Sequence, residues 1–185
     1  LVNDKLTELG IQHANGVALT GITGRLRGGN DGPAVAILGE LDSLRVPEHR
    51  HSDPATGAAH ACGHNCQISM MIGAAVGLMV PDVQRALCGD VQLMAVPAEE
   101  FIDIEYRLNL HKEGVLGFLS GKQEFIRLGA FDDVDMAMMV HTSASPADSK
   151  FSLGAVSNGH LGKYVRFVGK SAHAGSSPHR GVNAL

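Results

Sequence analysis

AVAILGELD, residues 34–42, decides the fold: an unbroken run of small and aliphatic residues that closes on two acids, Glu40 and Asp42. A short apolar run without polar alternation reads as a strand covered on both faces, the usual setting of a parallel strand between helices. Beyond it, HNCQISMMIGAAVGLMV (64–80) puts Ile68, Met71, Ile72, Ala75, Leu78 and Met79 at helical spacing, and Pro81 stops that helix. DVQLMAVP (90–97) reads as a second strand, a further helix ends near Gly129, and DVDMAMMVH (133–141) reads as a third strand. FIDIEYRLNLHKE (101–113) is acidic and weakly patterned, and reads as a loop. Strands alternating with helices need right-handed crossovers, which predicts an α/β fold with a largely parallel sheet and helices on both faces.

The character changes near residue 157, where Gly and Ser increase and KYVRFVG (163–169) shows the period-two alternation of a half-exposed strand. This predicts one domain over 1–156 and the start of a second over 157–185, with GVNAL (181–185) as a first helical turn.

With 185 residues, 44% of them hydrophobic and 18% charged, the chain is long enough for a packed core. A net charge of -4 and the lack of a Lys/Arg run argue against nucleic acid and membrane surfaces, and favour a small-molecule partner. No stretch approaches the roughly 20 apolar residues of a membrane span. Three cysteines, Cys62, Cys66 and Cys88, make no even disulfide framework, so a cytoplasmic setting is expected.

Four polar clusters carry the chemistry: HACGHN (60–65), PAEE (97–100), VHT (140–142) and GKSAHAGSSPH (169–179). Two of them directly follow apolar runs, and the carboxyl ends of parallel strands are where open α/β sheets bind ligands. Cys62 and His64 sit in a Gly-containing turn before a helix, where thiolate and imidazole suit zinc and its neighbours and the helix terminus would favour the thiolate. The same residues also read as a small buried hydrophobe and a helix-start residue, with Asn65 as a cap. Glu99 and Glu100 could divide metal binding and proton transfer, or be a solvated surface pair. His141 emerges from an apolar strand and needs a partner to offset burial, whether structural or a metal. Asp42 and Glu40, on one side of their strand, could orient a ligating imidazole. His173, in a Gly- and Ser-rich segment, could donate to a developing oxyanion or be a surface histidine.

Taken with LGELDSLRVPE (38–48), IRLGAFDDVDMAMMVHT (126–142) and VGKSAHAGSSPHRGVNAL (168–185), these clusters resemble the metal-dependent aminoacylase/carboxypeptidase-type amidohydrolase family, especially the hippurate, auxin-conjugate and aminobenzoyl-glutamate hydrolase branch. The resemblance runs from about residue 34 to the end. It implies a mixed-sheet catalytic domain interrupted by a smaller lid domain that also makes a homodimer contact. By matching position it makes Cys62, His64, Glu100 and His141 ligands of one or two divalent transition-metal ions, with zinc or manganese favoured over cobalt or nickel. Glu99 becomes the general base, and His173 the lid histidine that reaches a neighbouring subunit's site. The implied reaction is hydrolysis of amide bonds in N-acyl amino acids or peptide-like conjugates. Asn65 stands where this branch usually has Asp, and Phe101 where Gly is usual, with a longer segment after it. The family also has a further histidine ligand and half its sheet after the lid, so truncation within the lid is expected. Two other readings compete: a non-catalytic metal-binding or assembly fragment, and a cysteine amidase with Cys62 as nucleophile and His64 as base.

Overall fold

The computed structural model describes residues 1–143, 151, 153–154, 159 and 161–184. Contacts divide the chain into two units, Leu1–Ala144 and Ser145–Leu185. The boundary expected near 157 lies outside the described residues.

The first unit runs α1 (Val2–Glu8), β1 (Gln12–Val17), β2 (Gly21–Leu26), β3 (Asn30–Glu40), β4 (Leu44–Arg45), β5 (Ala58–Ala59), α2 (His64–Leu78), α3 (Pro81–Ala86), β6 (Cys88–Val96), α4 (Ile104–Lys112), α5 (Gly121–Arg127) and β7 (Met136–Met139). Its main sheet has the order β1-β2-β6-β3-β7. β6, β3 and β7 are parallel, whereas β1 and β2 join antiparallel, so the sheet is mixed with a parallel core. β3 lies between two neighbours and is buried from Leu38 to Glu40, as the unbroken run 34–42 predicts. β4 and β5 form a separate small hairpin.

Helices cover both faces. On one, Val2 and Leu6 of α1 and Met71 and Ala75 of α2 pack with Leu26, Val91, Leu93 and Ala95, and Ile68, Ile72, Leu78 and Met79 close around them. On the other, the fully buried Phe125 of α5 meets Ala36, Leu38, Met94 and Val96. Gly21 is required where that ring arrives, because a Cβ there would lie 2.6 Å from its Cζ.

Several local expectations change. α2 ends at Leu78 with Met79 as its C-cap, and Pro81 instead opens α3, where its missing N–H costs nothing. Gly63, not Asn65, caps α2, and Asn65 lies within the first turn. Residues 101–113 are no loop: Ile104–Lys112 is helical. All four residues of β7 are exposed, because β7 is the edge strand of the sheet and, among the described residues, pairs with β3 alone.

In the second unit no strand forms over 163–169, where Val165, Phe167 and Val168 are all exposed; alternation makes a strand only when a neighbour supplies the ladder. Lys170 pairs with Val182 in an antiparallel bridge, and Pro178–Arg180 forms one 3-10 turn. Gly181 is extended, so 181–184 is not a helical turn, and Leu185 lies outside the described residues.

Candidate metal centre

Three adjacent parallel strands deliver their ends to one place. β3 ends on Glu40, with Asp42 two residues later; β6 ends at Val96, ahead of Glu99 and Glu100; β7 ends at Met139, ahead of His141. α2 starts beside them with His64, preceded by Gly63 at φ +92°. A Cβ on Gly63 would lie 2.2 Å from the Thr142 hydroxyl oxygen, so this tight turn is what lets Cys62 approach the β7 end.

Potential ligand atoms of Cys62, His64 and His141 all lie within 4.8 Å of one another, and so do those of Glu40, His64 and Glu99. Cys62 Sγ is 3.6 Å from His141 Nε2, and the Glu100 carboxylate is near enough to raise the Cys62 thiol. His64 is 2% exposed. Its Nδ1 is 2.9 Å from the Asp42 carbonyl oxygen and 3.3 Å from Asp42 Oδ1. Its Nε2 is 3.0 Å from Glu40 Oε2 and 4.0 Å from Glu99 Oε2, yet has no partner at hydrogen-bonding geometry among the described residues. A buried imidazole nitrogen facing carboxylates without a bond is a costly arrangement for an apoprotein and a natural one for a metal ligand.

The sulfur, nitrogen and carboxylate donors therefore fit a divalent transition metal. Glu40 and Asp42 both touch the imidazole, as their shared side of the strand predicts. His141 is exposed rather than buried, and its Nδ1 lies 2.7 Å from the Thr142 carbonyl oxygen.

Burial pushes the Cys62 thiol up to about 11, helped by Glu100, Glu99 and Glu40. The thiolate expected from the helix terminus is thus not favoured by these surroundings, because burial first, and then the neighbouring carboxylates, oppose a negative charge on the sulfur. Burial also raises the Glu99 carboxyl above its ordinary value; Glu40 adds to this and Lys122 counters it.

Sequence reasoning missed four neighbours of these residues. Gln67 donates from Nε2 to Glu40 Oε2 (3.0 Å) and accepts the Glu40 N–H (2.9 Å); its place one turn after His64 was the available signal. Lys122 of α5 ion-pairs with the buried Glu40. Arg107 of α4 binds carbonyl oxygens around the Glu99–Glu100 turn, and Thr142 packs on Gly63. The sequence marked neither Lys122 nor Arg107, and marked Thr142 only as the end of the VHT cluster, with no role. His173 belongs to the second unit, where its Nδ1 accepts the N–H groups of Gly175 (3.2 Å) and Ser176 (3.1 Å).

No family model matches the chain. Thermostable carboxypeptidase 2 of Saccharolobus solfataricus is 30% identical over all of this chain and 44% of its own length. N-acetyl-L-cysteine deacetylase of Bacillus subtilis is 27% identical over 97% of this chain and 40% of its own length. The chain belongs to the metal-dependent aminoacylase/carboxypeptidase-type amidohydrolase family. It spans less than half the length of these curated relatives. Among solved structures, a Bacillus subtilis dinuclear metal-binding peptidase of the M20 family matches 74% of this chain and 34% of its own, with a TM-score of 0.57 and 24% identity, a likeness of fold.

Proposed function

We propose that this chain carries the amino-terminal part of a metal-dependent amidohydrolase acting on N-acyl amino acids or peptide-like conjugates. The observation that supports it best is the buried, unbonded His64 Nε2 among Glu40, Glu99, Cys62 and His141. Cys62, His64, Glu100 and His141 would hold one or two divalent ions, zinc or manganese by preference. Such ions supply Lewis acidity to an amide carbonyl and to water. Glu99 takes the proton of the attacking water and delivers it to the leaving nitrogen; its raised pKa brings it closer to the range where one group can do both. Glu40 and Asp42 hold the His64 ring in one orientation. His173 would serve as an oxyanion donor across a homodimer formed by the second unit, the start of a lid domain from about residue 157, in a cytoplasmic protein.

Glu99→Gln tests the base assignment. It should retain metal and lose turnover of N-acyl amino acids by about 100-fold or more. Loss of metal would contradict the assignment, and unchanged turnover would refute the mechanism.

A second reading, a metal-binding or assembly fragment without turnover of its own, is supported by the open apolar edge of β7, where Met136, Met138 and Met139 are exposed.

A further inference from the structure

Arg107 is 8% exposed, and the Asp42 and Asp103 carboxylates act on it electrostatically, although neither is among the ion pairs of the described residues. A buried guanidinium without an ion pair is costly unless its donors are otherwise satisfied. Here carbonyl oxygens satisfy them: Arg107 donates to Glu100 (2.5 Å), Leu119 (3.1 Å) and Ala98 (3.4 Å). Two of these residues flank Glu99. The turn needs holding, because Ala98 has φ +58°, a left-handed conformation that non-glycine residues seldom adopt. Asp42 Oδ2 also accepts the Glu100 N–H at 2.8 Å, and Asp42 Oδ1 lies 3.3 Å from His64 Nδ1. The Ala98 carbonyl also accepts the Gly121 N–H, and the Glu100 carbonyl the Ile102 N–H, so the guanidinium ties together a turn that main-chain bonds alone hold loosely.

We propose that Arg107 is a positioning residue. Its planar fork, pulling on the carbonyls of Ala98 and Glu100 while Asp42 pulls on the Glu100 amide, fixes the Glu99–Glu100 turn so that both carboxylates face His64 and Cys62. The inference rests on the metal-centre reading for its consequence but not for its geometry. Arg107 also lines a cavity of about 310 Å³ with Leu110, Tyr106 and Phe118, which offers free guanidinium a way in if the side chain is shortened.

Two readouts on the full chain test this. In zinc competition against a chromophoric chelator, Arg107→Ala should bind about 10-fold more weakly or worse, and added guanidinium should restore affinity. Leu110→Ala, which loosens α4 without touching the carbonyls, should lower Tm and leave affinity unchanged. In the metal-free protein, NMR amide exchange should show lost protection at Glu100 and Ile102 in Arg107→Ala, with β6 still protected. If Arg107→Ala does not fold, Arg107→Lys carries both readouts, because one ammonium cannot reproduce the planar fork. Unchanged affinity and protection in the Arg107 variant overturn the proposal, as does an equal loss in Leu110→Ala. Wild-type protein that binds no zinc would refute the metal centre instead, and the amide exchange would still decide the role of Arg107.

Discussion

Glu124 is a strongly perturbed buried acid, and replacing it with Gln tests how the segment before α5 is held. Its carboxylate is 1% exposed and accepts the N–H groups of Gly117 (3.2 and 3.1 Å) and Phe118 (2.9 Å), plus Arg127 Nε at 2.9 Å and the Arg127 terminal nitrogen at 2.5 Å. The Arg127 guanidinium first, and then the two backbone amides, hold its carboxyl at about 2 against an ordinary 4.5, despite burial. A folded-state pKa below the unfolded one stabilises above the unfolded value and is lost as pH falls through the folded one. That difference is worth about 3 kcal/mol at neutral pH, fading between 4.5 and 2. Gln keeps one acceptor but loses the charge and turns an NH2 toward existing donors. Urea unfolding followed by circular dichroism should therefore show Glu124→Gln less stable by about 3 kcal/mol at neutral pH. The gap to wild type should narrow as pH falls through that window. A gap independent of pH would refute the ionic account and leave only packing.

Gly63→Ala should lower stability by about 1 to 3 kcal/mol, because φ +92° is strained for alanine and its Cβ meets the Thr142 hydroxyl; it should also weaken metal binding by pushing Thr142 and His141 away from Cys62. Chemical denaturation and chelator competition read the two effects, and wild-type values in both would contradict the close approach. Phe125→Ala should cost about 3 to 5 kcal/mol, since the ring is fully buried between α5 and the sheet. A Tm within a few degrees of wild type would mean that this face of the sheet is not packed as described.

What the sequence made legible was set by burial. β3 and α2 declare themselves because the second half of β3 is largely buried and α2 buries one face at helical spacing, so their apolar residues follow the element's own geometry. The β1–β2 hairpin passed unread because β1 is mostly exposed and polar, and because its turn uses Ala18 and Leu19 at positive φ rather than an obvious glycine pair. α4 shows almost no apolar periodicity and is fixed by Arg107 reaching main-chain oxygens, an interaction that leaves no trace in residue pattern. The alternation at 163–169 misled for the reverse reason, since a strand pattern specifies a face but not a partner. At the site, residues with metal-ligand chemistry could be named from type and order, and Cys62, His64, Glu99, Glu100 and His141 do come together. The groups that set their charge and orientation, Gln67, Lys122 and Arg107, are ordinary surface types by composition; Gln67 could be read from its place one turn after His64, but only the fold brings Lys122 and Arg107 near. The thiol pKa shows the same limit: the helix terminus is local and readable, whereas the burial that raises the thiol, and the carboxylates that add to it, come from the fold.

The most direct test of the metal centre is metal content by mass spectrometry, on protein purified without a histidine tag or added metal, beside a Cys62→Ala/Glu100→Ala double variant. One or two transition-metal ions per chain in the wild type, absent from the double variant, is the result expected from the clustering of Cys62, His64, Glu100 and His141. A folded wild-type protein with no metal, or a double variant that keeps it, would contradict that assignment.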